Sequence, residues 1–465
     1  MIFQKILMSF ILFSFYVKGE TSDKDVNFFE LEWEHYTSEG TLQEQLKNYV
    51  FVKGDYSFNF TKSDFSFRTQ LKYQYSLDHK DWFHFDLPEI FLFYKYDFKT
   101  SFKLLKSIEF YLGRKVKKWS LGDDYWDLGL WNSLILWNPL EPMVKGNVGS
   151  FLTFKSENWE TDFFLGALHI PNTNANFFVR DKTPRTYSRW GTLLPNKVDE
   201  YNLSIYYEFI KPFYFDFINK KSFFVNFKTW TEKSDIFCWF KISFADKPTN
   251  HLYYIMNKKH RLKVDSNKSK EPLFIDQVLT GIFSRQRILS TEWGINYNKI
   301  LSMTVSLENT KIKEEKALDQ ENWSFINSRE SFTYFSGILK YQYSPESFFE
   351  LGFIQSWFNK YRNQKNTVQP VFVSQNKILN GLSLAFEKRS STLKGLPLIF
   401  NLKYQYSFLG RGAWLSTNFL YYMGEKFYTK WSAHILGSGV KNQSQSFLSI
   451  FKHNDYFTWS FVYDF

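Results

Sequence analysis

One short stretch of this chain concentrates charged side chains of both signs. Four basic residues and two acidic ones make up the set: Arg114, Lys115, Lys117, Lys118, Asp123 and Asp124. Opposed rows of fixed charge produce a transverse field, and inside a pore such a field selects permeating ions and polar solutes. The alternative is a solvated outer loop whose charges face water. The sequence leaves both possibilities open.

Catalytic arrangements are poorly supported. The eight histidines, at positions 35, 79, 84, 169, 251, 260, 434 and 453, are scattered, and none accompanies a hydrolase-like serine motif. The adjacent pair Asp78 and His79 is weak evidence for a protease. No metal-ligand spacing, Walker loop or glycine-rich dinucleotide fingerprint is present, so we expect neither an enzyme nor a metal or other cofactor. The single Cys238 rules out an intrachain disulfide, and we interpret it as an ordinary strand residue.

Strand-like alternation of apolar and polar residues runs through almost the whole chain. In one example Phe65, Phe67, Leu71, Tyr73 and Tyr75 alternate with polar residues. Similar runs cover 201–209, 301–307 and 398–406. Runs of about ten residues with period two match tilted strands that cross a membrane. Aromatic residues make up 21% of the chain, which suits rings on a lipid-facing surface. We therefore predict an all-β fold, a transmembrane antiparallel β-barrel of about 18 strands, with 16 to 22 possible.

The connections between these runs are of two kinds. Tight turns are predicted at 61–64, 99–101, 344–347 and 410–412, and longer polar pieces at about 115–143, 169–198, 258–275, 311–330 and 359–377. The two kinds do not alternate perfectly along the predicted strands. The sequence Lys-Tyr-Gln-Tyr-Ser occurs at 72–76, 340–344 and 403–407. We expect its tyrosines to lie in an interfacial girdle at one depth, with Lys and Gln in the lumen.

Both termini fit export to a bacterial envelope. Residues 1–19 have the pattern of a secretory signal peptide, so 20–465 is predicted to form one barrel domain. At the other end five rings alternate with mainly polar residues: Phe457, Trp459, Phe461, Tyr463 and Phe465. This ending resembles the C-terminal signal strand of Gram-negative outer-membrane β-barrels. The resemblance implies location in the cell outer membrane, and recognition of these five residues by the barrel assembly machinery. The alternative is an ordinary last strand of a secreted all-β protein.

The charged loop carries a second resemblance. The order Gly113-Arg114-Lys115, Trp119-Ser120, Asp123-Asp124 and Asn138-Pro139 is similar to a motif of large outer-membrane porin-like barrels. The resemblance covers about 30 residues and identifies no subfamily or substrate. It implies a loop folded into or over the pore, with the four basic residues facing the two acidic ones.

A second basic stretch, 178–190, contains three arginines that are further candidates for the pore: Arg180, Arg185 and Arg189. Rings of arginine line anion and phosphate pores, and a guanidinium binds phosphate through two hydrogen bonds. On an outer-membrane surface, pairing with lipopolysaccharide phosphates is an equal alternative.

The net charge is +11, and removing Lys5 and Lys18 with the leader gives 11 − 2 = +9. The basic residues are scattered between rings rather than clustered, which argues against nucleic acid as a partner. In a barrel they must lie in the lumen or at the rims. We predict a passive outer-membrane channel for small polar solutes that prefers anions. The alternative is a non-conducting barrel with a structural, adhesive or lipid-binding role, its lumen plugged by its own loops.

Overall fold

Eighteen long strands form the wall of a barrel in the computed structural model. The structure describes residues 27–39, 45–79, 82–98, 105–173, 178–180, 183–185, 188–190, 197–198, 203–210, 220–250, 253–257, 261–264, 273–282, 284–313, 323–325, 331–358, 378, 380–391, 395–408, 411–439 and 447–465. The predicted signal peptide and the predicted turn at 99–101 lie outside these residues. In the described part of the chain, no helix has both the length and the apolar character needed to span a membrane.

The wall strands, numbered in chain order, are β1 Phe28–Tyr36, β2 Asn48–Lys62, β3 Phe65–Ser76, β4 Phe83–Asp97, β5 Ser107–Lys115, β6 Asn147–Lys155, β7 Trp159–Leu168, β8 Ser222–Lys233, β9 Ile236–Pro248, β10 Arg285–Tyr297, β11 Leu301–Lys313, β12 Phe332–Ser344, β13 Ser347–Phe358, β14 Gly381–Ser391, β15 Pro397–Ser407, β16 Gly412–Tyr422, β17 Phe427–Ser438 and β18 Tyr456–Asp464. Each strand pairs antiparallel with the next. Strand β1 also pairs with β18, so that Trp33 lies opposite both Val50 and Trp459 and the barrel closes. The predicted fold class and strand number are confirmed.

Period-two alternation places apolar side chains on the outer face and polar ones in the lumen. On β18, Phe457, Trp459 and Phe461 are more than 40% exposed, whereas Thr458 and Ser460 are buried. Exposed rings and aliphatic side chains recur on the other wall strands. Apolar surface costs roughly 25 cal/mol per Å² in water, so a belt of this kind is stable only against hydrocarbon. The wall is therefore a transmembrane barrel.

The connections differ between the two ends of the barrel. At one end, here called the turn end, they are short, as at 63–64, 234–235 and 345–346. At the other, the loop end, most are long. The turns predicted at 61–64 and 344–347 are confirmed as turn-end connections. The turn predicted at 410–412 joins β15 to β16 at the loop end, which is one reason that the two kinds did not alternate in the sequence.

A second sheet stands apart from the wall, and it corrects one predicted strand. Residues Leu203–Ile210, which the sequence suggested as a membrane strand, pair in parallel with Leu273–Ile282. Four further short strands complete this sheet: Lys197–Val198, Tyr253–Asn257, Arg261–Val264 and Trp323–Phe325. All six lie in loop-end connections. Alternation identifies a strand, but it does not identify the sheet that the strand joins.

The repeated pentapeptide has the predicted faces but not a common depth. Lys72 lies in the lumen, 2.8 Å from Asp55, and Tyr73 and Tyr75 point outward. The copies at 72–76 and 403–407 end strands β3 and β15 at the loop end, whereas 340–344 ends β12 at the turn end. The prediction of one depth is wrong, because neighbouring strands of an antiparallel barrel run in opposite directions.

Candidate functional site

The connection between β5 and β6, residues 116–146, folds back into the barrel and is called the lumen segment here. It contains helix α1, Leu121–Trp126, and a small hairpin of Ser133–Ile135 and Met143–Lys145. Trp119 and Trp131 are fully buried. They pack on inward-facing wall residues, including Phe224 on β8, whose ring centroid lies 5.0 Å from that of Trp119. The loop is inside the barrel, one of the two locations that the sequence left open.

A carboxylate of the wall holds the beginning of α1. Ser120 caps the helix and accepts a hydrogen bond from the Asp123 backbone N–H at 3.1 Å. Glu292 on β10 accepts from the Ser120 hydroxyl at 3.0 Å and from the Leu121 N–H at 2.7 Å. Lys241 on β9 lies 3.2 Å from the other carboxylate oxygen. Hydrogen bonds to a charged group contribute about 1.5–3 kcal/mol each, and a helix N-terminus favours a negative charge. Glu292 therefore fixes this helix to the wall.

A second carboxylate, that of Asp123, holds the turn that follows α1. Asp127 has a positive φ of 51° and turns the chain back. Asp123 then accepts hydrogen bonds from the backbone N–H groups of Leu130 at 2.8 Å and Trp131 at 3.1 Å. The Trp131 indole N–H donates to Glu308 on β11 at 3.0 Å. Residues 127–131 are therefore a rigid turn rather than a free loop.

Neutral and cationic donors of the wall satisfy the carbonyl groups of the same turn. The Lys247 ammonium donates to the carbonyl oxygens of Trp131 at 2.7 Å and Leu130 at 3.1 Å. The Asn250 amide donates to the Gly129 carbonyl at 2.7 Å. Buried backbone groups must find partners, and here strand β9 and the residues just after it supply them.

The later part of the lumen segment contacts the opposite wall. The Asn138 amide donates to the Tyr456 hydroxyl on β18 at 2.7 Å. The ring of Trp137 stacks on His84 of β4 with centroids 4.6 Å apart. Glu141 lies 3.5 Å from the ring of His434 on β17. One segment thus contacts walls on both sides of the lumen, which narrows the lumen.

Three of the four predicted basic residues, Arg114, Lys115 and Lys117, have partners other than Asp123 and Asp124. Arg114 is 2.9 Å from Asp86 on β4, and the Lys117 ammonium contacts Asp162 on β7. The Lys115 ammonium lies 2.7 Å from the centroid of the Tyr111 ring. Lys118 is exposed and makes no close ion pair with a described residue, but its positive charge acts on Asp124 and works against the rise of that residue's pKa. Acids on neighbouring strands are nearer to the basic side chains, and Asp123 is already occupied by backbone groups. A role for these residues in selecting solutes remains a prediction.

Asp124 lies on α1 and is the unsatisfied acid of the segment. Its Oδ2 is buried and has no hydrogen-bond partner in the described part of the chain. Burial and then the charge of the adjacent Asp123 raise the pKa of Asp124 to about 7. The group is therefore poised to change charge near neutral pH.

The three predicted arginines lie at the loop end in different settings. Arg180 and Arg185 belong to a small antiparallel hairpin of Phe178–Arg180 and Thr183–Arg185. Arg189 is buried, with its guanidinium carbon 4.6 Å from the centroid of the Tyr36 ring. It donates to the Ser38 hydroxyl at 3.0 Å. Burial against a ring removes Arg189 from the set of freely accessible pore charges.

An apolar cluster at the loop end was missed by the sequence analysis, and it is called the mouth cluster here. Its members are Tyr36, Tyr49, Phe51, Trp82, Leu140, Trp190, Trp414, Leu436, Phe447, Leu448, Phe451 and Tyr456. Phe447 and Leu448 come from a short helix, α2, Phe447–Ile450, and Phe451 follows it directly. The available signal was the i, i+1, i+4 spacing of Phe447, Leu448 and Phe451 within a polar connection.

Wall charges in the lumen are largely neutralised by acids and bases on adjacent strands. Besides the pairs already named, Lys53 contacts Glu32, and Lys155 lies 2.7 Å from Glu109. The described lumen wall is therefore a lattice of ion pairs rather than a basic surface. Within the described residues no group of three or more His, Cys, Asp or Glu side chains could hold a metal ion.

No protein-family model matches the sequence, and no curated protein matches it. Solved structures of similar architecture include Pseudomonas aeruginosa OccK9 (OpdG), at 10% identity over 96% of this chain and 99% of that chain, with a TM-score of 0.47. Another is P. aeruginosa OccK2 (OpdF) in complex with glucuronate, at 9% identity over 94% of each chain, with a TM-score of 0.46. A Rhodopseudomonas blastica porin triple mutant matches at 7% identity over 95% of this chain and 99% of that chain, with a TM-score of 0.36. By its closed wall of eighteen strands and its apolar outer face, this chain is a transmembrane antiparallel β-barrel with a segment folded into its lumen.

Proposed function

We propose that this protein is a channel in the outer membrane of a Gram-negative cell and passes small polar solutes by passive diffusion, with a preference for anions. The observation that carries the proposal is the lumen segment lying across a lumen with a charged and hydrogen-bonding wall. A wall of fixed charges and hydroxyl groups replaces part of the hydration of a small polar solute, and a folded segment limits its size.

The preference for anions is supported by the distribution of unneutralised basic groups. Lys118 is exposed and makes no ion pair within the described residues. In the sequence, the connection between β13 and β14, positions 359–380, has four basic residues and no acidic one. Because the described lumen charges are largely paired, this excess of basic residues would be the charge that raises the local concentration of anions.

Conductance in a planar lipid bilayer tests the proposal. Purified protein is first shown to be folded by a change of its gel mobility on boiling. It is then expected to give discrete current steps and, in a potassium chloride gradient, a reversal potential whose sign indicates selectivity for chloride. Higher salt is expected to weaken the preference, because the Debye length is about 10 Å at 0.1 M. A reversal potential of the opposite sign would refute the anion preference and leave the channel standing.

A second candidate, a non-conducting barrel, is favoured by one observation. The apolar cluster of the lumen segment and the mouth cluster both lie inside the wall rather than on its outer face. The absence of current in the bilayer would favour this candidate, provided that the protein changes its gel mobility on boiling and is therefore folded.

The proposed outer-membrane location implies two partners. Arg180 and Arg185, in a loop-end hairpin, would pair with lipopolysaccharide phosphates, and the rings of β18 would be recognised by the assembly machinery. Recovery of the protein in a soluble periplasmic fraction, without a heat shift, would contradict the location.

A further inference from the structure

We propose that Trp190, Phe447, Leu448 and Phe451 form a displaceable lid over the loop-end mouth of the barrel, while the lumen segment stays fixed when the lid opens. These four residues are called the mouth lid below. The inference rests on the proposed channel function, and it adds to it a closed resting state with a defined moving part.

The mouth lid is a compact set of rings and one leucine. The centroid of the Trp190 ring lies 5.3 Å from that of Phe451 and 6.1 Å from that of Phe447. Leu448 is fully buried against the wall strand β16. A Cβ atom built on Gly412 of β16 would lie only 2.7 Å from the Leu448 Cβ. Glycine at this position thus lets the lid seat directly on the wall.

The lid and the apolar cluster around Trp119 and Trp131 cover different groups of wall strands, and Leu140 of the lumen segment joins the mouth cluster beside the lid. The inner-face residues beneath the lid come from five consecutive strands, β16, β17, β18, β1 and β2: Trp414, Leu436, Tyr456, Tyr36, Tyr49 and Phe51. The wall residues in the apolar cluster of the lumen segment lie between β6 and β13, with Phe151 at one end and Ile354 at the other. A solute entering at the loop end therefore meets apolar side chains on both sides.

The contacts that hold the lumen segment differ in kind from those that hold the mouth lid, and this difference decides which of the two moves. The lumen segment is held by carboxylates, with Glu292 and Asp123 each accepting two hydrogen bonds at 2.7–3.1 Å. In the lid, Phe447, Leu448 and Phe451 are held by apolar packing. Next to Trp190, the charged guanidinium of Arg189 donates to the Ser38 hydroxyl at 3.0 Å, and the neutral Asn454 amide donates to the Arg189 carbonyl at 2.6 Å. Hydrogen bonds to an ionised group are roughly twice as strong as neutral ones. Phe447, Leu448 and Phe451 should therefore detach before the lumen segment does.

A reversible disulfide cross-link between the lid and the wall, called the lid staple here, tests the proposal. Cys238 is the only cysteine, so Cys238→Ser gives a cysteine-free parent. Gly412→Cys with Leu448→Cys then places two thiols where the lid meets the wall. The 2.7 Å spacing of the Cβ atoms must widen to about 3.8 Å for a disulfide, a small outward shift of a short helix. A closed resting state leaves an open fraction of about 0.1–10%, and the staple should abolish it until dithiothreitol restores it.

A matched staple on the lumen segment is the control. Gly122→Cys with Ser306→Cys joins α1 to β11, where a Cβ on Gly122 would lie 3.1 Å from the Ser306 Cβ. The oxidised and reduced forms of this variant should conduct equally, because the cross-link joins two elements that do not separate when the lid opens. If the oxidised lid staple conducts like its reduced form, the lid proposal is wrong. If only the control staple blocks conduction, the moving part is the lumen segment and the proposal is also wrong.

Loosening the lid separates this inference from the channel proposal. Trp190→Ser removes the ring that contacts Phe447 and Phe451, and it should raise the open fraction about tenfold. If folded parent and folded Trp190→Ser are both silent, the channel proposal itself fails. If both conduct equally, only the lid fails.

Discussion

Replacing Glu292 with alanine removes the acceptor that fixes helix α1 to the wall. Two hydrogen bonds are lost, from the Leu121 N–H and the Ser120 hydroxyl, at about 1.5–3 kcal/mol each. Lys241, 3.2 Å away, loses its counter-charge, and an unpaired buried charge costs about 3–5 kcal/mol. These losses overlap because they share one carboxylate, and water can enter the lumen. We expect the free energy of unfolding to fall by about 4 kcal/mol in total.

The assay is urea unfolding of the barrel in lipid vesicles, followed by tryptophan fluorescence. Glu292→Gln is the matched control, because the amide keeps an oxygen acceptor for Leu121 and loses only the charge. About half of the loss is expected for it, since neutral hydrogen bonds are roughly half as strong as charged ones. A double-mutant cycle with Ser120→Ala should give a coupling of about 1–2 kcal/mol.

Conduction supplies an independent readout for the same variants. A detached α1 should give larger and noisier current steps, because the segment that narrows the lumen is no longer fixed. An alanine variant within about 0.5 kcal/mol of the parent, which is the usual effect of a neutral surface substitution, would refute the anchoring argument. Unchanged current steps from that variant would refute the claim that the segment narrows the path.

Three further changes have expected outcomes. The Phe465 N–H bonds the Asn27 carbonyl at 2.9 Å and its ring packs on Tyr56, so Phe465→Ser should lower the yield of heat-modifiable barrel without reducing export; an unchanged yield would show that this residue is not the assembly signal. Lys118→Glu should move the reversal potential towards cation preference, since no ion pair neutralises Lys118 in the described chain; no movement would place it off the path. The raised pKa of Asp124, about 7, means that the folded state binds its proton more tightly, so stability falls as pH rises between about 4 and 7. Asp124→Asn should flatten that dependence and raise the free energy of unfolding at pH 8 by at most about 4 kcal/mol, seen as a higher unfolding temperature. An equally steep pH profile in this variant would exclude Asp124 as the source of the pH dependence.

The sequence alone identified the strands and their faces. Alternation in Phe457, Trp459 and Phe461 places these rings on one side of a strand, and in the structure they lie on the outer face. This succeeds because the period of two is a property of the extended backbone itself and needs no knowledge of other strands. The approximate strand number followed from counting such runs.

The charge partners required the tertiary structure. Lys117 was predicted to face Asp123 or Asp124, six or seven positions away, but it contacts Asp162 on another strand. A lysine side chain reaches whichever acid the fold brings near, and a Coulomb interaction depends on that distance in space and not on separation along the chain. Sequence spacing therefore gave the types of residue in the site but not their pairs.

Membership of the wall and burial of loops also depended on tertiary contacts. The run 203–210 has strand periodicity but joins a separate sheet, and Phe447, Leu448 and Phe451 pack against the wall from a loop-end connection. In both cases the local pattern requires only a free strand edge to pair with or an apolar surface to pack on, and it does not specify which one. Which surface that is follows from the closure of the barrel, because β1 pairing with β18 fixes which inner faces meet across the lumen.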